Sequence, residues 1–215
     1  MYRNHDYANE VHVITHPLVQ QKLVFARDAR TGSDDFRRLL REIAMLMAFE
    51  ITRDCPTRSA TVRTPLASAE GAVLAREITL VPILRAGLGM ADGVLQLVPG
   101  AHVVHLGIYR DETSLQPVVY YNRLAPRVAR TEVIVVDPML ATGGSCCVAI
   151  DAIKQAGARQ IKLLCLVASP EGIGQLGCSH PDVAIYTAAI DERLNDKGYI
   201  LPGLGDAGDR CFGTE

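Results

Sequence analysis

The sequence predicts an α/β fold: a parallel sheet with helices on both faces and a small C-terminal lobe. Three observations predict it. Short apolar runs without polar breaks recur at Ile78–Leu84, 103–108, 133–136, 161–167 and 183–186, the pattern of strands buried on both faces. Helical segments fall between these runs, as alternating β and α units require. From residue 190 to 210 the alternation stops, and the chain becomes rich in Gly, Asp and Asn.

Each element has its own signal. In segment 34–52, Phe36, Leu39, Leu40, Ile43, Leu46, Met47 and Ile51 recur at helical spacing. Ser33 reads as the N-cap, Asp34 and Asp35 suit the positive end of the helix dipole, and Pro56 lies beyond the end. Ile78–Leu84 reads as a strand, with Pro82 arguing for an edge or a strand end. Arg85-Ala86-Gly87 is a turn into a helix over Leu88–Leu97. The run 133–136 is four β-branched residues. A helix over 146–155 follows, with Gly157 as its C-terminal stop. After the strand 161–167, Pro170-Glu171 opens a short helix. In such sheets ligands bind beyond the carboxyl ends of the strands, so the loops after Leu84, Ile108 and Val136 are the informative ones.

Composition sets outer limits. The chain has 215 residues, 48 % hydrophobic and 21 % charged, with a formal net charge of −2. That length suits one domain with a sizeable core. No basic run marks a nucleic-acid surface. No apolar stretch is long enough for a membrane span, and the N-terminus lacks a signal-peptide core. Cys55, Cys146, Cys147, Cys165, Cys178 and Cys211 form no C-x-x-C pair, which fits free thiols in a reducing cytoplasm. His5, His12, His16, His102, His105 and His180 show no metal-ligand spacing, and no dedicated protein metal site is expected. Tyr120-Tyr121 reads as strand or interface packing.

The strongest chemical signal is Asp137-Pro138-Met139-Leu140-Ala141-Thr142-Gly143-Gly144-Ser145, set between an apolar strand and a helix. Small residues let consecutive N–H groups turn toward one anion, and the helix N-terminus adds donors and partial positive charge. Thr142 and Ser145 add hydroxyls, and Asp137 is an acceptor suited to sugar hydroxyls. The segment is neither a P-loop nor a dinucleotide-binding glycine motif. A plain capped strand–helix turn is the alternative. Arg85, beside small residues, suits a diphosphate by paired hydrogen bonds; a surface ion pair is its alternative. The stretch from Tyr109 to Gln116, with Arg110, is too polar for a core and reads as a mobile loop, either one that closes over ligand or an ordinary solvated one.

An apolar strand, an acid and a Thr-Gly-Gly-Ser turn resemble the ribose-phosphate loop of type I phosphoribosyltransferases. The form Asp-Pro-Met-Leu-Ala-Thr-Gly-Gly-Ser, with Pro138 where most of that superfamily carry a second acid, resembles the uracil phosphoribosyltransferase family in particular. The stretch from Val81 to Met90 resembles that family's pyrophosphate loop, that from Tyr109 to Thr113 the start of its flexible loop, and that from Gly198 to Asp209 its uracil-binding segment. Phe49, where tyrosine is expected, and the apolar, lysine-poor stretch 67–77 are departures away from the motifs.

The resemblance implies a type I phosphoribosyltransferase fold over one domain, 1–215, with an N-terminal helical and extended segment (1–65), an α/β core (76–188) and a base-binding tail (189–215). It implies transfer of phosphoribosyl from 5-phosphoribosyl 1-diphosphate (PRPP) to uracil, giving UMP and diphosphate. Asp137, Arg85 and Arg110 are the expected catalytic residues. The PRPP site is expected to comprise Arg85, Arg110, Asp206 and the whole run Asp137, Pro138, Met139, Leu140, Ala141, Thr142, Gly143, Gly144 and Ser145. Ile200, Gly205, Asp206 and Ala207 are expected to contact uracil. Mg²⁺ is expected with the ribose diphosphate, homo-oligomers are expected as partners, and GTP is a candidate effector. The Arg85–Ala86 peptide is the expected cis bond. A general base for uracil N1 is not evident. Two rivals stay open: an RNA-binding regulator on the same fold, disfavoured by the absence of a basic run, and transfer to a purine, disfavoured by the tail.

Overall fold

Side chains that alternate along the central strands divide the core in two, one layer on each face of a sheet. The computed structural model describes residues 2–4, 7–110 and 117–214. In chain order the elements are β1 (Tyr2–Asn4), β2 (Val11–Val13), α1 (Pro17–Arg27), α2 (Ser33–Ile51), β3 (Thr57–Arg63), β4 (Ser68–Leu74), β5 (Ile78–Leu84), α3 (Leu88–Leu97), β6 (His102–Val103), β7 (Leu106–Arg110), β8 (Pro117–Asn122), a 3₁₀ turn (Pro126–Arg130), β9 (Glu132–Val136), β10 (Met139–Leu140), α4 (Gly144–Gln155), β11 (Ile161–Ala168), α5 (Pro170–Ser179), β12 (Ala184–Ile190), β13 (Arg193–Leu194), β14 (Ile200–Leu201) and α6 (Ala207–Phe212). Leu80 of β5, Ile134 and Val136 of β9, Leu164 and Leu166 of β11 and Ala188 of β12 face one layer, filled by α1, α2 and α3. Val81, Ile83, Val133, Val135, Leu163, Cys165 and Ile185 face the other, filled by α4 and α5.

Among the described residues, the main sheet runs in the order β1-β2-β12-β11-β9-β5-β7-β8. Its centre is parallel, with β12, β11, β9, β5 and β7 paired in one direction. Antiparallel strands close both edges, β1 on β2 and β8 on β7. All carboxyl ends of the parallel strands therefore open on one side, which puts the loops after Leu84 and Val136 side by side.

Several sequence expectations need correction. Helix α2 starts at Ser33 itself; its N-cap is Gly32, and no side chain caps it. Asp34 and Asp35 do sit in its first turn. Pro82 lies mid-sheet, paired with Val136 of β9, not at an edge. Its missing N–H is tolerated because the strand on the other side is interrupted there. β6 pairs with Thr79 and Leu80, β7 with Ile83 and Leu84, and Pro82 falls at the gap between them. That same gap divides the expected strand 103–108 in two. The cis non-proline bond is Leu84–Arg85, one peptide earlier than expected, and a second cis bond precedes Pro202. Strand β7 extends through Tyr109 and Arg110, so the expected loop starts later than Tyr109; its remainder, 111–116, lies outside the described residues. The β3–β4 hairpin was not foreseen. Both strands are exposed along nearly their whole length, so no buried stripe marks them in the sequence.

Candidate active site

The cleft lies beyond the carboxyl ends of β5, β7 and β9, with a volume of about 1010 Å³. Four segments converge on it, one of them the β7–β8 pair through Ile108, Tyr109 and Tyr120. Arg85 and Ala86 follow β5, the Asp137 loop follows β9, and the C-terminal lobe supplies Lys197 through Ile200 together with Asp206, Gly208 and Asp209. Of the residues expected from the sequence, Arg85, Asp137, Met139, Ala141, Ser145, Ile200 and Asp206 line this single space.

Asp137 terminates β9, where its backbone N–H still donates to Leu164 at 3.1 Å. Its Oδ1 accepts the Met139 N–H at 3.3 Å. Burial raises its pKa to about 7; the Met139 hydrogen bond opposes the shift and the Asp206 charge adds to it. The two carboxylates are therefore electrostatically coupled across the cleft. Asp137 is partly open to the cleft, so a ligand can reach it.

The loop after Asp137 divides its labour. Pro138 and Leu140 are buried, and their carbonyls accept from β11 and Ser169: Pro138 from Leu166 and Val167, Leu140 from Ser169. They build the loop and do not line the cleft. Gly143 adopts a left-handed conformation (φ 80°), and an added Cβ would lie 3.0 Å from the Gly172 carbonyl. That turn starts α4, whose N-terminus no side chain caps. By contrast, α1, α5 and α6 are capped by His16, Ser169 and Asp206. The first N–H groups of a helix lack intrahelical partners. Helices α2 and α3 also lack a side-chain cap; what sets α4 apart is that its start lies at the cleft, with Ser145 lining it and Thr142 exposed.

The opposite wall is the C-terminal lobe. Ile200 is 4 % exposed and packs into the α1–α3 layer. A tight turn follows it: Gly203 has φ 62°, and an added Cβ would sit 2.1 Å from the Ile200 carbonyl. Asp191 holds this turn by accepting the Gly203 N–H at 2.8 Å while making two bonds to Arg27. Gly205 and Ala207 belong to the same segment; Ala207 is fully buried. Asp206 caps α6 by accepting the Asp209 N–H at 2.9 Å.

Sequence reasoning did not place Tyr120 or Lys197 at the cleft. Tyr120, read as packing, lies with its ring on the Gly107 backbone and lines the cleft next to Tyr109. Lys197, Tyr199 and Asp209 line it from the lobe; Tyr199 and Asp209 fall in the stretch 198–209 already singled out, and no spacing rule points to Lys197. Arg110 ends β7, opposite Pro117 of β8. His105 falls between β6 and β7 rather than within a strand. Among the described residues, no group of three or more His, Cys, Asp or Glu is placed to hold a metal ion.

A parallel sheet with an acid at the end of its central strand, an uncapped glycine-rich helix start and a lobe over the cleft define a type I phosphoribosyltransferase fold. Adenine phosphoribosyltransferase from Trypanosoma brucei shares it at TM-score 0.58, covering 88 % of this chain and 87 % of its own, with 10 % identity, a likeness of fold alone. A solved structure from Aquifex aeolicus is far nearer, at TM-score 0.92 and 39 % identity over 95 % of this chain and 99 % of its own. The uracil phosphoribosyltransferase family profile matches residues 13–214. Curated uracil phosphoribosyltransferases from Clostridium perfringens and Geobacillus kaustophilus are 57 % and 55 % identical, each over 96 % of this chain and over 100 % and 99 % of their own length. The chain belongs to the uracil phosphoribosyltransferase family.

Proposed function

We infer that this cleft is where the chain joins uracil to PRPP, forming UMP and releasing diphosphate. One observation carries the reading: an uncapped helix N-terminus, a carboxylate suited to sugar hydroxyls and a backbone-rich lobe face one another across a single space. The 5′-phosphate sits on the start of α4, held by N–H groups from Ala141 to Ser145 and by the Thr142 and Ser145 hydroxyls. Asp137 accepts from the ribose hydroxyls. Arg85 and Arg110 bind the diphosphate. Uracil lies against the lobe at Ile200 and the Gly205-Asp206-Ala207 turn, where backbone groups read its two carbonyls and its N3–H.

The reaction substitutes uracil N1 for diphosphate at the anomeric carbon. Positive charge builds on the ribose ring and negative charge on the leaving group. The protein's work is therefore positioning and charge stabilisation, a role we assign to Asp137 for the ring and to Arg85 and Arg110 for the departing diphosphate. Mg²⁺ fits this donor set, because the Asp206 and Asp137 carboxylates both line the cleft. Asp206 would hold it together with substrate oxygens. When bound, Mg²⁺ neutralises charge on the diphosphate.

A second copy of the chain is the partner we propose. The β3–β4 hairpin exposes Val62, Leu66, Val73 and Leu74, and a two-stranded hairpin is marginal in water without a covering surface. The cytoplasm is the compartment we propose: the six cysteines are free, and no helix among the described residues is long and apolar enough to cross a membrane. GTP as an effector is tested by adding it to the assay. The deciding experiment mixes purified protein, Mg²⁺, PRPP and a panel of bases and follows diphosphate release. Release with uracil supports the reading, and release with purines alone overturns it.

A further inference from the structure

Arg85 leaves β5 at the cleft rim and there meets the C-terminal lobe. Its Nη2 donates to Asp209 Oδ1 at 3.0 Å, and its guanidinium lies 6.0 Å over the Phe212 ring. Asp209 is fixed from two further sides. Its backbone N–H donates to Asp206, and the Thr214 hydroxyl donates to the same Oδ1 that receives Arg85. The Thr214 bond does most to keep the Asp209 carboxyl below its ordinary pKa; burial opposes it, and the Arg85 bond and charge add smaller lowering effects. Asp209 is thus an anchored carboxylate, and it belongs to the helix that Asp206 caps in the uracil-binding segment.

The Arg85 side chain is 54 % exposed, so burial does little to hold it. An arginine that must be immobilised on binding loses rotamer freedom, and one already held binds at lower entropic cost. Asp209 takes one of the two terminal guanidinium nitrogens. The guanidinium carries five N–H donors, which leaves enough for two diphosphate oxygens. The pair is half-exposed and screened, so it competes weakly against a multiply charged diphosphate.

We propose that Asp209 is a positioning residue for the diphosphate site: it holds Arg85 at the cleft rim ready for the leaving group and so ties α6 to diphosphate binding. The proposal rests on Arg85 being a diphosphate ligand, and the experiment separates the two. Steady-state kinetics are measured for Asp209→Ala, Arg85→Ala and the double variant, varying PRPP and uracil separately. Asp209→Ala should raise the KM for PRPP by about 5- to 20-fold while kcat and the KM for uracil, at saturating PRPP, move less than about threefold. In the Arg85→Ala background the same substitution should add nothing. Asp209→Glu should recover part of the loss. If Asp209→Ala unfolds α6, Asp209→Asn keeps the size and an acceptor oxygen and should shift the same KM in the same direction by about two- to fivefold. An unchanged or lowered KM for PRPP overturns the proposal, as does an equal effect with Arg85 already removed. If Arg85→Ala leaves the KM for PRPP untouched, both the proposal and the diphosphate role of Arg85 fall. If Arg85→Ala raises it and both Asp209 variants do not, only the proposal falls.

Discussion

Asp137 shows most directly how a buried carboxyl opposes stability. Its carboxyl is driven up to about 7 from an ordinary 3.8, chiefly by burial. Because the folded pKa is raised, the native state binds more protons than the unfolded chain between those values. Stability therefore falls as pH rises from about 4 to about 7, and the loss is complete above that window. Asp137→Asn removes the effect. Its melting temperature should exceed the parent's at pH 8, by the equivalent of at most about 4.5 kcal/mol at 1.4 kcal/mol per pKa unit, and the gap should close near pH 4. Turnover should fall by about 10- to 100-fold, since the ribose hydroxyls lose a charged acceptor. A folded variant with parental turnover would remove Asp137 from the mechanism. The thiols beside it are different. Burial pushes Cys165 up to about 12 and Cys146 well above its ordinary value, so both are packing groups, not nucleophiles.

Three arginines fasten the C-terminal lobe. Arg210 donates to the carbonyls of Ala26, Leu204 and Asp28 and lies 4.1 Å over the Phe36 ring. Arg27 holds Asp191 and the Gly203 carbonyl, and Arg37 donates to the Cys211 carbonyl. The segment is short and poor in apolar residues, so polar fastening to α1 and α2 replaces a core of its own. Arg210→Met would keep the stem's packing but leave three carbonyls without their donor. At about 1 kcal/mol or more per lost bond, a loss of about 2–4 kcal/mol is expected, or roughly 5–15 °C in melting temperature for a chain of this size. The KM for uracil should rise more than that for PRPP, because the uracil-binding turn is what loosens. Equal rises in both constants would show that the lobe does not act as a separate unit.

At the scale of the whole molecule, substrate choice and assembly are the two expectations. Cytosine carries an amino group where uracil carries O4, which puts a donor against a backbone donor. One such mismatch costs about 1–3 kcal/mol and two add, so cytosine should be turned over at least about tenfold less efficiently than uracil. Equal turnover would mean that the lobe does not read the base through its backbone. For assembly, sedimentation should show a species larger than one chain. Replacing 57–74 by a short glycine-serine loop should shift it toward the monomer; an unchanged mass would move the interface elsewhere.

The sequence by itself determined the sheet, its helices and the small, glycine-rich turn after β9. Strands buried on both faces must be apolar throughout, α2 must carry a helical stripe, and an anion cradle must be small and glycine-rich. Each requirement is local and leaves a local mark. What only the tertiary structure decided depends on partners distant in the chain. Pro82 is accepted mid-sheet because β6 and β7 leave a gap beside it. The β3–β4 hairpin has no buried face, so no periodicity could announce it. Arg85 meets Asp209 across 124 positions of sequence, and Asp137 titrates near 7 because the folded chain buries it beside Asp206. Spacing along a chain records what a residue's neighbours in sequence require. Charge coupling, burial and the convergence of separate segments on one cleft arise only when the sheet brings its carboxyl ends together.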